Sequence, residues 1–143
     1  MVSRDAKTGV WSYPAFYTMG AISIGLQIGG ESSQMILVIM TETGMDSLLT
    51  SSFKLGAEVS VAAGPVGTGA KAATADILAY TLAKGAYGGA TVEGAIIKTK
   101  DKWNSDFYGQ KVTTADIIVR KIVTNNAADP LRQAVVDLAG GTL

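Results

Sequence analysis

The sequence predicts an α+β fold that is mainly β, with an antiparallel β-barrel-like core and about three short helices packed on its outside. Alternation of bulky and small residues predicts the strands. Glycines recur inside these segments, as expected where strands bend sharply to close a barrel. Charged residues make up 17% of the chain, against a usual ~25%, which suggests closely packed strands with little solvated helix surface.

Four segments have strand patterns. Residues 20–30, GAISIGLQIGG, alternate strictly between bulky residues on one side and small residues on the other. Residues 55–62 repeat this design, and residues 90–97 repeat it more loosely. Residues 34–41, QMILVIMT, contain an apolar run that predicts a strand covered on both faces.

Glycines are interpreted as bends and turns. Three of them lie in mid-strand, where we expect the barrel to bend: Gly25, Gly56 and Gly94. Residues 63–76, AGPVGTGAKAATAD, come close to a phosphate-binding loop, but Ala70 separates the second glycine from Lys71 and Ala72 stands where a hydroxyl is needed. We therefore interpret the glycines of this segment as turn formers.

Capping signals predict the helices. Thr43-x-x-Asp46 resembles a capping box, and Asp101 caps a second short helix that stops at Gly109. The third helix has Asp129 as its N-cap, Pro130 in its first turn and Gly140 after its end. Its apolar stripe consists of Leu131, Ala134, Val135 and Leu138. Residues 113–123 stay ambiguous, because Thr113-x-x-Asp116 favours a helix and the β-branched content favours a strand.

Composition narrows the function. Twelve basic and twelve acidic residues cancel, so no overall field attracts nucleic acid, and we predict no nucleic-acid partner. The chain has no histidine and no cysteine, which removes the commonest catalytic base, thiol nucleophile and metal ligands. We predict a single domain over residues 1–143 that is not an enzyme and has no cofactor or metal. A hydrolase using Glu58 and Glu93 as a carboxylate pair is the remaining enzyme hypothesis.

Two clusters could bind a ligand. Trp11, Tyr13, Phe16 and Tyr17 surround Pro14, and we interpret these aromatic residues as core rather than as a stacking site. Lys98, Lys100 and Lys102 lie two residues apart, so they share one face if the strand continues, and Trp103 adjoins them. Lysine beside tryptophan is typical of a membrane interface. An edge strand protected by lysines explains the same pattern, and the sequence alone favours it.

Several motifs resemble the SYLF domain family. They are WSYPAFYTMGAISIGLQIGG (11–30), FKLGAEVSVAAGPVG (53–67), KGAYGGATVEG (84–94) and FYG (107–109), in the family's order and spacing. The resemblance implies a non-enzymatic phospholipid-binding domain with a β-barrel core and external helices. It implies anionic phospholipids or phosphoinositides as partners, and an exported, periplasmic or membrane-anchored location in a bacterial envelope; a cytosolic location is the alternative that the sequence itself leaves open. The alternative is a structural or protein-interaction module with a cytoskeletal or envelope partner.

Two departures from the family pattern weaken the expected lipid binding. The family's N-terminal segment is missing from the match, and a basic position of its Y-S-R-S-K-G motif is occupied by Leu82. Only Lys84 of that motif is carried over. The predicted lipid site consists of Lys98, Lys100, Lys102 and Trp103, with Lys84 and Lys71 as secondary contacts.

Overall fold

The computed structural model describes residues 1–21, 34–65, 74–83, 86–89 and 92–143. These residues form two compact units, unit 1 (Met1–Thr18 and Thr99–Leu143) and unit 2 (Met19–Lys98). The described strands are β1 (Tyr17–Ala21), β2 (Gln34–Ile39), β3 (Ser52–Lys54), β4 (Val61–Ala63), β5 (Ile77–Ala83), β6 (Ala86–Gly89) and β7 (Ala95–Thr99). The described helices are α1 (Glu42–Leu48), α2 (Asp101–Tyr108), α3 (Thr114–Ile118) and α4 (Asp129–Ala139), with a 3-10 turn at Asn126–Ala128.

The strands form two small sheets. The first has the order β1-β7-β3, with β3 antiparallel to β7. In the second, β5 pairs with β2 along its length, and with β4 and β6 on its other side. The β2 and β6 pairings are antiparallel, whereas β4 runs parallel to β5. The predicted α+β class is confirmed. Among the described residues, however, no closed barrel is seen, and the parallel pair corrects the expectation of a wholly antiparallel core.

A tight turn replaces the first part of the strand predicted over residues 55–62, and only residues 61 and 62 of that segment belong to a strand, β4. Gly56 has a φ of 82°, and its N–H donates to the carbonyl of Val59 at 2.7 Å. Leu55 and Val59, at 0% and 1% exposure, are therefore both buried across a turn instead of along a strand. Gly94, with a φ of 84°, likewise lies in a turn before β7, not in mid-strand. Positive φ suits glycine, so these two residues reverse the chain rather than bend a barrel.

Of two further strand predictions, one lies mostly outside the described residues and the other is confirmed in part. Only Gly20 and Ala21 of the alternating segment 20–30 are described, and they end β1; Gly25 lies outside the described residues. The apolar run after Gln34 forms β2 as predicted, but only one face is covered, since Ile36 and Val38 are 42% and 39% exposed.

Strand β5 contributes three consecutive residues to the buried core of unit 2, beside buried residues of α1, β3 and β7. Ile77, Leu78 and Ala79 of β5 are at most 5% exposed. Gly64 follows β4, donates its N–H to the carbonyl of Ala79 at 2.9 Å, and lies directly beneath the ring of Tyr80. A Cβ atom at position 64 would fall on that ring, so the present position of the Tyr80 ring requires glycine at position 64.

In unit 1, α3 supplies much of the core. The predicted capping box at Thr113 is present, with the Thr113 hydroxyl accepting from the N–H of Asp116 and the Asp116 carboxylate accepting from the N–H of Thr113. Ile117 and Ile118 of this helix are 0% and 2% exposed. The structure thus resolves the ambiguity of residues 113–123 in favour of a short helix over Thr114–Ile118.

The remaining helices follow their capping signals within two residues. Helix α1 is capped by Thr41 instead of Thr43, because the Thr41 hydroxyl accepts from the N–H of Gly44. Helix α2 is preceded by Lys100 and ends at Gly109, which has the left-handed conformation with a φ of 66°. Helix α4 ends before Gly140 as predicted, but its N-cap is Ala128, without a side-chain hydrogen bond, and the predicted cap Asp129 is its first residue.

Candidate interaction surfaces

The predicted lysine patch is divided between a strand and a helix. Strand β7 ends at Thr99, and the N–H of Lys100 donates to the carbonyl of Phe16 at 3.0 Å before helix α2 begins. The expected strand face shared by Lys98, Lys100 and Lys102 is therefore not formed. Lys98 is exposed on β7 in unit 2, whereas the other two lysines belong to unit 1.

The first turn of α2 carries Trp103 and two of the predicted lysines. Lys100 Nζ lies 5.2 Å from the centre of the Trp103 ring, within cation–π distance, and Trp103 is 52% exposed. Lys102 Nζ lies 2.6 Å from Asp106 Oδ2, and both side chains are solvent-exposed. A solvated pair of this kind adds little stability, but it offsets one positive charge of the patch. Lys71 and Lys84 lie outside the described residues.

Three other residues of α2 hold the helix in place. Asn104 is fully buried, and its Oδ1 accepts from the N–H of Phe16 at 2.7 Å. Phe107 packs edge-on against Phe16 with ring centres 5.1 Å apart. The hydroxyl of Tyr108 donates to the carbonyl of Pro14, and burial raises the pKa of Tyr108 to about 12. Trp103 lies one turn before Phe107 on the same side of α2, yet it stays 52% exposed.

The N-terminal aromatic residues contact two helices. Trp11 Nε1 donates to the carbonyl of Gly140 at the end of α4, and the Tyr13 hydroxyl donates to Asp129. Phe16 packs on α2 as described above, and all these aromatic side chains are half-buried. Their predicted role as packing groups is consistent with these contacts, although they do not lie along one strand.

Helix α4 has the reverse of the orientation that its sequence suggests. Its apolar residues Leu131 and Leu138 are 48% and 83% exposed, whereas Arg132 is only 7% exposed. The Arg132 guanidinium lies 4.1 Å from the centre of the Tyr13 ring and donates to the carbonyl of Trp11 at 3.0 Å. It also lies 3.4 Å from the Asp129 carboxylate. An arginine therefore anchors α4, and the apolar stripe faces outward.

Sequence reasoning missed this surface. The spacing of Leu131, Ala134, Val135 and Leu138 was visible, but spacing shows only which residues share a side. The sequence offered one indication of the orientation, the spacing of Arg132 three residues after Asp129, which allows the two side chains to pair on one side of the helix.

Carboxylates in unit 2 have structural roles. The Asp76 carboxylate accepts from the hydroxyl of Thr41 and from both the hydroxyl and the N–H of Ser60, which lowers the pKa of Asp76. It thereby joins the cap of α1 to the segments before β4 and β5. Glu58, one of the two carboxylates of the hydrolase hypothesis, accepts from the N–H of Lys54 at 2.7 Å, and the second, Glu93, is exposed.

The described residues form neither a metal-binding cluster nor a membrane-spanning helix. No group of three or more acidic residues is placed to hold a metal ion there. No described helix is both long enough and apolar enough to cross a bilayer.

Comparison with known proteins assigns the family. Residues 20–138 match the family model Ysc84, described as "Las17-binding protein actin regulator". The chain is 32% identical over 133 residues to Protein YSC84 of Saccharomyces cerevisiae, covering 87% of this chain and 28% of that protein. It is 33% identical to LAS seventeen-binding protein 3 of the same species, with 87% and 29% coverage. It is 25% identical to human SH3 domain-containing YSC84-like protein 1, with 77% and 34% coverage.

The chain thus spans about three tenths of the length of the curated relatives it matches. No solved structure gives a significant match. The family model covers well over half of the chain, and the motifs at residues 11–30, 53–67, 84–94 and 107–109 had indicated the same group. This chain belongs to the Ysc84 family, also called the SYLF domain family.

Proposed function

We propose that this chain is a non-enzymatic protein-interaction module that acts on the actin cytoskeleton. The observation that carries the proposal is the match of residues 20–138 to a family described by Las17 binding and actin regulation. One of its relatives, LAS seventeen-binding protein 3 of Saccharomyces cerevisiae, is named for binding LAS seventeen. Because the chain corresponds to only part of each relative, actin and Las17 are separate candidate partners for this part.

The surface chemistry supports a protein partner. The net charge is zero, so association does not depend on a strong overall field. Large apolar side chains such as Leu131 and Leu138 are 48% and 83% exposed. Exposed apolar groups of this kind are frequent where proteins dock, because burying them on association is favourable.

The test is co-sedimentation of the full chain with actin filaments, with a parallel pull-down on immobilised Las17. We expect the chain to pellet with filaments or to be captured by Las17, and to remain in solution with serum albumin as the control protein. Retention at 50 and at 300 mM salt would agree with apolar docking. Absence of binding to both partners would overturn the proposal.

A second candidate function, peripheral binding to anionic lipid, is favoured by the position of Lys100 over the exposed ring of Trp103. Each lysine near an anionic surface contributes about 1 kcal/mol. Lys98 and Lys102 would add to this, but Asp106 offsets Lys102. This candidate requires an anionic membrane, such as that of a bacterial envelope.

Sedimentation with phosphatidylglycerol or phosphatidylcholine vesicles tests the second candidate. We expect binding to the anionic vesicles alone, weakened by Lys100→Glu. Lys111→Glu is the matched control, since Lys111 is an exposed lysine of unit 1 outside the predicted patch. An equal loss of vesicle binding in both variants would show that the Lys100–Trp103 pair is not the lipid site. No vesicle binding by the parent chain would overturn the candidate function.

A further inference from the structure

Helix α4 presents an apolar surface that the described part of the chain leaves largely exposed. Leu131, Ala134, Val135 and Leu138 have the i, i+3, i+4, i+7 spacing that places side chains on one side of a helix. Leu131 is 48% exposed, Leu138 is 83% exposed and Ala134 is exposed, whereas Val135 is half-buried at the margin. These four residues are called the α4 face below.

The helix is held from its other side and at its end. Arg132 contacts Tyr13, Asp129 and the carbonyl of Trp11, as described above. At the C-terminus, Arg4 Nη1 donates to the carbonyl of Ala139 at 3.0 Å. Together with the Trp11–Gly140 hydrogen bond, these contacts hold the α4 face in a preformed position, so that little order has to be imposed when a partner binds.

The charges of α4 favour a basic occupant. The helix contains two aspartates and one arginine, and that arginine is buried against Asp129. Asp137 is exposed beside Leu138, where its carboxylate accepts only from Gln133 among the described groups. Among the described residues, Asp137 is therefore the one exposed charge of α4 on the rim of the α4 face, whereas the exposed Arg4 lies at the C-terminal end of the helix. An anionic membrane would repel Asp137, and a second copy packed with its own Asp137 against this one would bring two carboxylates together.

We propose that the α4 face binds a basic amphipathic helix of a protein partner. This inference rests on the proposed function and specifies its contact surface. Eleven residues span about 16 Å, so two to three turns of the partner suffice. Ala134, with its small side chain between Leu131 and Leu138, leaves space into which an apolar side chain of the partner inserts. Lysines or arginines on the partner's flank would then lie near Asp137.

Fluorescence anisotropy tests the proposal with the full chain. The probe is a labelled 14-residue peptide with leucines at i, i+3, i+4 and i+7 and lysines beside them, and the matched peptide has glutamates in place of the lysines. We expect the lysine peptide to bind at least about tenfold more tightly than the glutamate peptide. Leu138→Asp should weaken its binding at least about tenfold, because the apolar contact is lost.

Two further variants sharpen the test. Asp137→Lys should narrow or invert the preference between the peptides, since it reverses the charge of the rim. Ile122→Asp is the matched control, because Ile122 is an exposed apolar residue of unit 1 outside α4. Circular dichroism and thermal unfolding check that all variants fold. Equal binding of both peptides, or equal loss in Ile122→Asp and Leu138→Asp, would overturn the inference.

The same variants separate this inference from the proposed function. Loss of actin or Las17 binding in Leu138→Asp, but not in Ile122→Asp, supports both. Unchanged partner binding by Leu138→Asp would leave the proposed function standing and overturn the α4 face as its contact surface. If Leu138→Asp instead abolished vesicle binding or self-association, while neither peptide bound the parent chain, the occupant would be a membrane or a second copy and the inference would be wrong.

Discussion

Helices α3 and α4 lie in the same unit and use their apolar residues in opposite ways. The five-residue α3 has a capping box and buries Ile117 and Ile118 almost completely. The eleven-residue α4 has no side-chain cap, and the most exposed of its large apolar side chains is Leu138. The shorter helix therefore serves the core and the longer one serves the surface. Amphipathic spacing alone does not distinguish these two uses.

The largest expected effect contrasts the two helices directly. Ile117→Ala should lower the free energy of unfolding by about 2–5 kcal/mol, because it removes a fully buried side chain and leaves a cavity. Leu138→Ala should change it by no more than about 0.5 kcal/mol, since the side chain is mostly in solvent. Urea unfolding of both variants measures the difference. A similar loss in the two would mean that the α4 face is covered within the folded chain.

The anchor of α4 gives the next largest effect. Arg132→Met should destabilise the chain by about 1–3 kcal/mol, because the carbonyl of Trp11 loses its hydrogen-bond donor and Asp129 loses its paired charge. Arg132→Lys keeps the charge without the forked geometry and should recover part of the loss. Thermal unfolding followed by Trp fluorescence reports it. If methionine were tolerated without cost, apolar packing and not the arginine contacts would hold α4.

The cap of α3 should have a smaller effect. Thr113→Ala removes the hydroxyl that accepts from the N–H of Asp116, at an expected cost of about 1 kcal/mol. Thr113→Ser keeps the acceptor and serves as the control. Urea midpoints of the three proteins provide the measurement. Equal stability of the alanine and serine variants would show that burial alone forms α3.

The same cap makes α3 sensitive to acid. Hydrogen bonds from the N–H and hydroxyl of Thr113, and then the Arg120 guanidinium, lower the pKa of Asp116 from 3.8 to about 2. A lowered folded-state pKa stabilises the fold at pH values above 3.8, and the contribution is lost as the pH falls through about 2. The stability difference between the parent chain and Asp116→Asn should therefore shrink between pH 5 and pH 2. A difference that stayed constant over that range would contradict the role of the charged carboxylate.

The sequence predicted the helix ends and caps that depend on residues close together in the chain. Pro130 lies in the first turn of α4, Gly140 follows its last residue, and Gly109 ends α2. The backbone conformations at those points depend on the residue itself. Thr113 and Asp116 indicated α3 for the same reason, although β-branched residues left a strand as an alternative.

Long-range contacts account for what the sequence could not predict. The alternating residues 55–59 form a turn instead of a strand, because Leu55 before Gly56 and Val59 after it both reach the core. The lysine patch assumed that β7 continued, whereas the buried Asn104 and its bond to Phe16, 88 residues away in sequence, favour a helix after Lys100. Likewise, nothing within α4 indicates that Trp11 and Tyr13 will bind Arg132 and turn the apolar stripe outward.

The contact of Gly64 with Tyr80 has a consequence for how related sequences can diverge. The aromatic ring of Tyr80 occupies the space that any Cβ at position 64 would need. We therefore expect substitutions at the two positions to depend on each other. Homologues that keep a ring at position 80 should retain glycine at position 64. Those that have lost the ring should be free to vary there, and a substitution at position 64 should become tolerable only after a smaller side chain has replaced Tyr80.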